Sequence, residues 1–251
     1  VPPAGNPFFH GLAPVVSLGF SLVCLAALPF GPRVSVGGLT VSLQPLELSA
    51  GAVFILAMLS VGVHGVVMAG YASGSAYARL GGLRGAAQMF SYEVSLALSL
   101  AGALYIYGTL DLERAVIWQG RMLGGWLPAW GIVVQPLGFL LFLTAAAAET
   151  KRAPVDLPEG ESEIIGYFVE YSGMKFGMFL MTDFFESIVI CGVITALFLG
   201  GWAIPGLDLT SMGPLGGVLM IASFITKVML LLFLLMQLRW TLPRFRFDQL
   251  L

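Results

Sequence analysis

Long apolar runs dominate the hydrophobic and polar pattern of the chain, and polar residues gather in the short stretches between them. A helix that crosses a bilayer needs about 20 consecutive, mostly apolar residues. Six stretches meet this condition, at about 12–31, 49–71, 90–109, 130–148, 174–200 and 213–237. The pattern therefore predicts an all-α fold, a polytopic bundle of about six transmembrane helices, built as a single integral membrane domain over residues 1–251.

Composition supports a membrane protein and excludes several other classes. The chain is 58% hydrophobic and only 10% charged, whereas a soluble domain carries about 25% charged residues. A net charge of −2 gives no indication of nucleic-acid binding. Cys24 and Cys191 lie in separate apolar segments without a CxxC motif, which argues against an iron–sulfur or zinc site. The first residues lack the basic region of a signal peptide, and the start at Val1 suggests a fragment of a longer protein.

Basic residues are distributed unevenly between the two sets of helix ends. Short cytoplasmic loops carry an excess of Lys and Arg. One set of ends carries eight basic residues and the opposite set carries three, namely Arg33, Arg114 and Arg121. We therefore expect the cytoplasm on the side of both termini, the 72–89 loop and the 149–173 loop.

An acidic, proline-containing loop interrupts the apolar pattern after the fourth segment. Six of the fourteen acidic residues lie between Glu149 and Glu170. Pro154 and Pro158 exclude a regular helix over 151–158. Glu159, Glu161 and Glu163 alternate, so they would share one side of an extended chain. Such a loop is either solvated surface or a functional acidic segment, and the sequence leaves both open.

Charged residues also occur inside the predicted membrane segments, where each costs about 2.5–3.5 kcal/mol on insertion scales. Asp183 and Glu186 are three residues apart and share a helix face. Two carboxylates so close together should not both ionise easily, which suggests a proton site, with a structural acid pair as the alternative. Lys227 should meet a carboxylate or a water-filled cavity. A structural buried ion pair and a functional role for Lys227 are equally compatible with the sequence.

Further polar groups extend this set toward the cytoplasmic ends of the helices. Glu93 and Glu149 lie at the ends of the third and fourth segments, and together with the loop they suggest a line of carboxylates leading inward. In the second segment, Ser60 and His64 share a helix face. His64 is either a proton carrier or an ordinary polar contact.

The loop sequence ETKRAPVDLPEGESE at 149–163, followed by GY at 166–167 and EYSGMKF at 170–176, closely resembles the signature of the H subunit of respiratory complex I. The resemblance continues in SYE at 91–93, FLGGW at 198–202 and LPRFRFDQL at 242–250. It covers about residues 10–251. The family has eight transmembrane helices, and this chain resembles helices two to seven without the first and last.

The resemblance implies a subunit that joins the hydrophilic arm to the membrane arm, lines the quinone chamber and couples quinone reduction to proton translocation. The implied coupling-loop residues are Arg152, Asp156, Glu159, Glu161 and Glu163. The implied proton relay is Glu93, Glu149, Asp183 and Lys227, with Asp183 at a position where Glu is common. Arg239, Arg244 and Arg246 match basic positions that would contact partner subunits.

The resemblance also implies membership of an enzyme, a proton-pumping NADH:quinone oxidoreductase, without a redox centre in this chain. Quinone would be the substrate, while FMN and iron–sulfur clusters would lie only in partner subunits. Expected partners are the quinone-site hydrophilic subunits, neighbouring membrane subunits and the lipid bilayer, without nucleic acid. A bacterial inner membrane is favoured over the mitochondrial one. Two alternatives remain, namely the related membrane subunit of an energy-converting hydrogenase or a ferredoxin- or F420-linked complex, and a stand-alone secondary transporter using Asp183, Glu186 and Lys227.

Overall fold

Helices make up most of the chain in the computed structural model, which describes residues 5–36, 39–123, 127–151, 155–156, 158, 166–205, 213–243 and 245. The helices are α1 (Pro7–Ala26), α2 (Gly51–Ala72), α3 (Ala76–Tyr107), α4 (Leu112–Gln119), α5 (Gly131–Val134), α6 (Pro136–Glu149), α7 (Met174–Phe198) and α8 (Gly213–Thr241). Five of them, α1, α2, α3, α7 and α8, are long and apolar enough to cross a membrane, and α6 is a shorter apolar helix. The predicted polytopic helical fold is confirmed.

Two small hairpins that the apolar pattern does not predict lie between helices. Strands β1 (Val34–Val36) and β2 (Leu39–Val41) pair antiparallel in the connection from α1 to α2. Strands β3 (Met122–Leu123) and β4 (Leu127–Pro128) pair antiparallel between α4 and α5. Because the long helices alternate in direction, both hairpins lie at the same end of the bundle.

Helix ends follow local sequence chemistry. The side chain of Asn6 caps α1 by accepting a hydrogen bond from the Phe8 N–H at 3.1 Å. Pro136 forces the residue before it out of the helical conformation, and Gln135 accordingly has φ −138° and ψ 68°. The predicted segment 130–148 is therefore broken into α5 and α6 rather than continuous.

Helix α3 corrects the predicted loop at 72–89 and the predicted segment at 90–109. It runs unbroken for 32 residues, which at about 1.5 Å per residue exceeds the roughly 30 Å of bilayer hydrocarbon. Its first turns are polar enough to escape a hydropathy criterion, but they contain good helix formers and glycines that pack closely. A segment can be helical without being apolar, so hydropathy alone does not detect this part of α3.

This extension of α3 positions the acidic loop. A Cβ at Gly81 would lie 3.1 Å from the backbone nitrogen of Tyr167, and one at Gly85 would lie 3.2 Å from Pro158 Cγ. Gln88 Nε2 donates hydrogen bonds to the carbonyls of Ala148 at 2.7 Å and Val155 at 2.8 Å. The loop is thus held against α3 at its start, at Pro158 and at Tyr167.

Helix α7 lies at the centre of the bundle and contacts α1, α4, α6 and α8. Its residues from Val189 to Phe198 are all buried, whereas large apolar side chains on the outer faces, such as Leu98 and Met229, are exposed. The central helix therefore holds its polar residues away from lipid. The outer helices present an apolar surface to the lipid.

Candidate functional site

A buried lysine lies between the two carboxylates of α7. Lys151 Nζ is 3.4 Å from Asp183 Oδ1 and 3.4 Å from Glu186 Oε2. The expected shared face of Asp183 and Glu186 is thus present, and both acids point to one ammonium group. A cation between two carboxylates lets both carry charge in a low-dielectric interior, since the pair alone would repel.

The backbone after α6 brings Lys151 to this position. Lys151 has φ +51°, a left-handed conformation that a residue with a side chain seldom adopts. Such a residue costs about 1–2 kcal/mol, and the conformation persists where the surroundings hold it. The turn directs the side chain back into the bundle from the first residues of the acidic loop.

Glu149, at the end of α6, is buried with only 4% of its surface exposed. Its Oε2 has no hydrogen-bond partner within the part of the chain that the structure describes. The Glu149 carboxyl lies within electrostatic range of Glu186, Glu93 and Lys151. An uncompensated carboxyl oxygen in the interior is a group that gains from binding a proton or a water molecule.

Glu93, on α3, accepts a hydrogen bond from the hydroxyl of Ser60 on α2. His64, one turn further along α2, is exposed beside the ring of Phe90. The structure therefore joins Ser60 to the acids and leaves His64 on the outer surface. We call Glu93, Glu149, Lys151, Asp183 and Glu186 the carboxylate–lysine cluster.

The members of the cluster influence one another electrostatically. Lys151 contacts Asp183 and Glu186, and the Glu149 carboxyl lies within electrostatic range of Glu186 and Glu93. A change of charge at one member therefore changes the electrostatic field at the others. The cluster has the composition needed to take up, hold and pass protons inside the membrane.

Among the residues that the structure describes, Lys227 has no carboxylate partner of the kind that its depth in α8 suggests. Its Nζ donates hydrogen bonds to the carbonyls of Leu199, Gly201 and Ala203 at 2.9, 2.8 and 2.8 Å. It also lies 4.9 Å from the centroid of the Trp130 ring. A cation is favourable near the C-terminal end of a helix, and Lys227 lies at the turn that follows α7, beginning at its C-cap Leu199. This geometry is that of a structural cap, and Lys227 lies outside the carboxylate–lysine cluster.

The remaining predicted site residues are described only in part. Asp156 lies next to Val155, whose carbonyl is held by Gln88, and Arg239 is exposed at the end of α8. Arg152, Glu159, Glu161, Glu163, Arg244 and Arg246 lie outside the described residues.

An apolar cavity of about 860 Å³ lies between α3 and α6 and reaches the start of the acidic loop at Val155. Its polar lining includes Tyr92, Ser99, Gln135 and Thr144. A smaller cavity of about 280 Å³ lies between α6, α7 and α8, with Arg239 in its lining. Within the described ranges, no group of three or more His, Cys, Asp or Glu side chains has the arrangement of a metal site.

Comparison with known proteins agrees with these features. The family model described as NADH dehydrogenase matches residues 1–251. The chain is 41% identical to the H subunit of NADH-quinone oxidoreductase from Thermomicrobium roseum, covering 100% of this chain and 72% of that protein. It is 37% identical to an H subunit from Cytophaga hutchinsonii, with the same coverage of each chain. It is 39% identical to the H subunit from Salinibacter ruber, again over 100% of this chain and 72% of the relative.

The chain belongs to the NADH dehydrogenase family. The predicted resemblance to the H subunit of complex I is thereby confirmed, and the chain is a membrane subunit of that enzyme class.

Within this family frame, two members of the cluster are not among the residues that the sequence assigns to the relay. Lys151 stands out in the sequence only as a basic residue of the loop, and Glu186 only as the partner of Asp183 in a candidate proton site, outside the relay that the resemblance implies. Their positions, two residues after a helix and one turn along a helix, are visible in the sequence. Their meeting is not, because it depends on how the chain turns after α6.

Proposed function

We propose that this chain is the coupling subunit of a proton-pumping NADH:quinone oxidoreductase, in which the carboxylate–lysine cluster relays protons and the 149–173 loop borders the quinone chamber. The names of its relatives supply the enzyme class and the quinone substrate. The observation that carries the relay is the buried ammonium of Lys151 between Asp183 and Glu186, near Glu149, whose Oε2 lacks a hydrogen-bond partner among the described groups.

Electrostatic coupling is the mechanism that this arrangement supports. Reduction of a quinone to a quinol consumes two electrons and two protons and creates transient negative charge. Carboxylates near a new negative charge respond by binding protons, and carboxylates that interact with one another respond together. Lys151 follows Glu149 by two residues at the start of the loop, so a displacement of the loop changes the field at Asp183 and Glu186 directly.

The loop acids and the basic chain end have separate roles in this proposal. Arg152, Asp156, Glu159, Glu161 and Glu163 border the quinone chamber. Arg239, Arg244 and Arg246 contact partner subunits at the cytoplasmic surface. Lys227, which the resemblance assigns to the relay, supports the end of α7 instead.

The proposed setting follows from the same enzyme class. The chain lies in the bacterial inner membrane as a multi-pass subunit, between hydrophilic subunits that reduce quinone and membrane subunits that translocate protons. FMN and iron–sulfur clusters are carried by the partners, and this chain contributes the interior path for protons.

Glu149→Gln in the assembled complex tests the relay. The amide keeps the shape of the side chain but neither ionises nor exchanges its proton as an acid does. We expect slower proton uptake in proteoliposomes, with NADH oxidation by an artificial acceptor unchanged because that reaction occurs in the partners. Asp183→Asn should have the same effect, and Asp183→Glu should retain uptake. Normal uptake in assembled Glu149→Gln and Asp183→Asn complexes alike would exclude the relay.

The loop is tested separately by Glu161→Gln and Glu163→Gln. Loss of either charge should lower quinone reduction while leaving oxidation of NADH by the artificial acceptor intact. If both variants assemble and reduce quinone at the normal rate, the acidic loop is solvated surface.

A further inference from the structure

The buried face of α1 is unusually polar for a helix in an apolar bundle. His10 and Ser17 are 3% and 1% exposed, respectively, and both face the interior. His10 Nδ1 and Ser17 Oγ have no hydrogen-bond partner among the residues that the structure describes. Ser21, by contrast, donates to the Leu18 carbonyl at 2.9 Å. A buried polar atom without a partner costs about 1–3 kcal/mol, so native proteins usually satisfy it with water.

More polar atoms lie at the start of this face, beside the end of the acidic loop. The ring of His10 packs on Tyr171 with centroids 4.0 Å apart. The Tyr171 hydroxyl is also buried without a described partner. Burial raises the pKa of Tyr171 to about 12, so the hydroxyl keeps its proton. Pro14 has no N–H to donate to the His10 carbonyl, which leaves a further acceptor here.

Two glycines of α2 connect this face to the carboxylate–lysine cluster. A Cβ at Gly65 would overlap Ser17 Oγ, and a Cβ at Gly62 would lie 3.9 Å from Glu186 Oε1. Side chains three apart on a helix are neighbours, with Cβ atoms about 5–6 Å apart. Ser17 Oγ and Glu186 Oε1 are therefore separated by at most about 12 Å along the same face of α2. About four waters, joined by hydrogen bonds of about 2.8 Å, cross a gap of that upper length, and fewer cross a shorter one.

We propose that α1 carries a hydrated hydrogen-bonded path from His10 and Tyr171, through Ser17, to the Glu186 carboxylate. The path starts where the acidic loop meets α7 and enters the cluster at Glu186 Oε1, beside Gly62 of α2. Each hydroxyl or water receives a proton through the hydrogen bond that it accepts and releases its own through the hydrogen bond that it donates. After these groups rotate, each has its original number of protons and the path is ready for the next one. The inference rests on the proposed relay function, because it supplies that relay with a second entrance.

Gly62→Ala is a selective test of the path. The added methyl makes ordinary contact at 3.9 Å with Glu186 Oε1 and occupies the space where the path needs water. Gly19→Ala is the matched control, because a Cβ at Gly19 meets nothing within 4 Å. In proteoliposomes of the assembled complex, we expect proton uptake to fall about fivefold in Gly62→Ala, the effect of one lost hydrogen bond in the path. Gly19→Ala should match the wild type.

Ser17→Ala and Tyr171→Phe remove hydroxyls without adding volume, and both should lower uptake. Tyr105→Phe controls for the second change, because Tyr105 is 90% exposed. Glu149→Gln, measured beside them, separates the two hypotheses. Slow uptake in Glu149→Gln with normal uptake in Gly62→Ala, Ser17→Ala and Tyr171→Phe overturns the path and leaves the relay. Normal uptake in all four, together with normal uptake in Asp183→Asn, overturns both.

A direct observation covers the case in which variants fail to assemble. A high-resolution density map of the wild-type complex should contain ordered water within hydrogen-bond distance of Ser17 Oγ and between it and Glu186. A dry, closed seam there overturns the path whatever the variants do.

Discussion

Lys151→Met is the change whose effect the structure defines most sharply. The side chains of Lys151, Asp183 and Glu186 are only 1%, 13% and 5% exposed, respectively. Removing one partner of a buried ion pair costs about 3–5 kcal/mol, because the remaining charge is left uncompensated. Methionine has a similar length and no charge, so it leaves two carboxylates together in the interior. We expect a loss of stability of about 3–5 kcal/mol, far above the ~0–1 kcal/mol of an exposed pair.

The assay is denaturant-induced dissociation and unfolding of the purified complex, compared across a double-mutant cycle with Asp183→Asn. An amide needs no counter-ion, so Lys151→Met should cost less in the Asp183→Asn background. Coupling energies for groups in contact are about 0.5–3 kcal/mol. Arg114→Met is the control for loss of a positive charge, because the Arg114 side chain is 77% exposed in its pair with Asp111.

Two results would refute this reasoning. The first is a Lys151→Met complex as stable as the Arg114→Met control. The second is strict additivity with Asp183→Asn, which would mean that the ammonium and the carboxylate do not interact. A stable, additive variant would also remove the electrostatic link between the loop and α7.

Two further predictions concern the bundle as a whole. Lys227→Met should destabilise the complex, because it removes three hydrogen bonds from a charged donor. Each such bond contributes about 1.5–3 kcal/mol. A stable variant that does not pump protons would instead return Lys227 to the relay. Ser162→Cys should be labelled by a membrane-impermeant thiol reagent from the cytoplasmic side only, as the eight-to-three distribution of basic residues requires. Labelling from the opposite side alone would invert the topology.

Local sequence was sufficient for much of the fold. The apolar stretches located the membrane helices, because the bilayer requires length and apolarity from each segment by itself. The motifs of the acidic loop carried the family resemblance. Hydropathy alone missed the break before Pro136, since the residues on both sides of it are apolar. It also missed the start of α3, because a hydropathy pattern distinguishes lipid from water and does not detect a helix that continues into water.

The meeting of distant side chains was decided only by tertiary structure. Spacing along α7 placed Asp183 and Glu186 on one face, but Lys151 reaches Asp183 across 32 residues of sequence through a left-handed turn. Within the described part of the chain, Lys227 likewise contacts carbonyls of the turn after α7 rather than an acid. A periodic pattern determines which face of a helix is polar. Which group lies opposite that face depends on the packing of other helices, because the interaction is short-ranged in space and independent of separation along the chain.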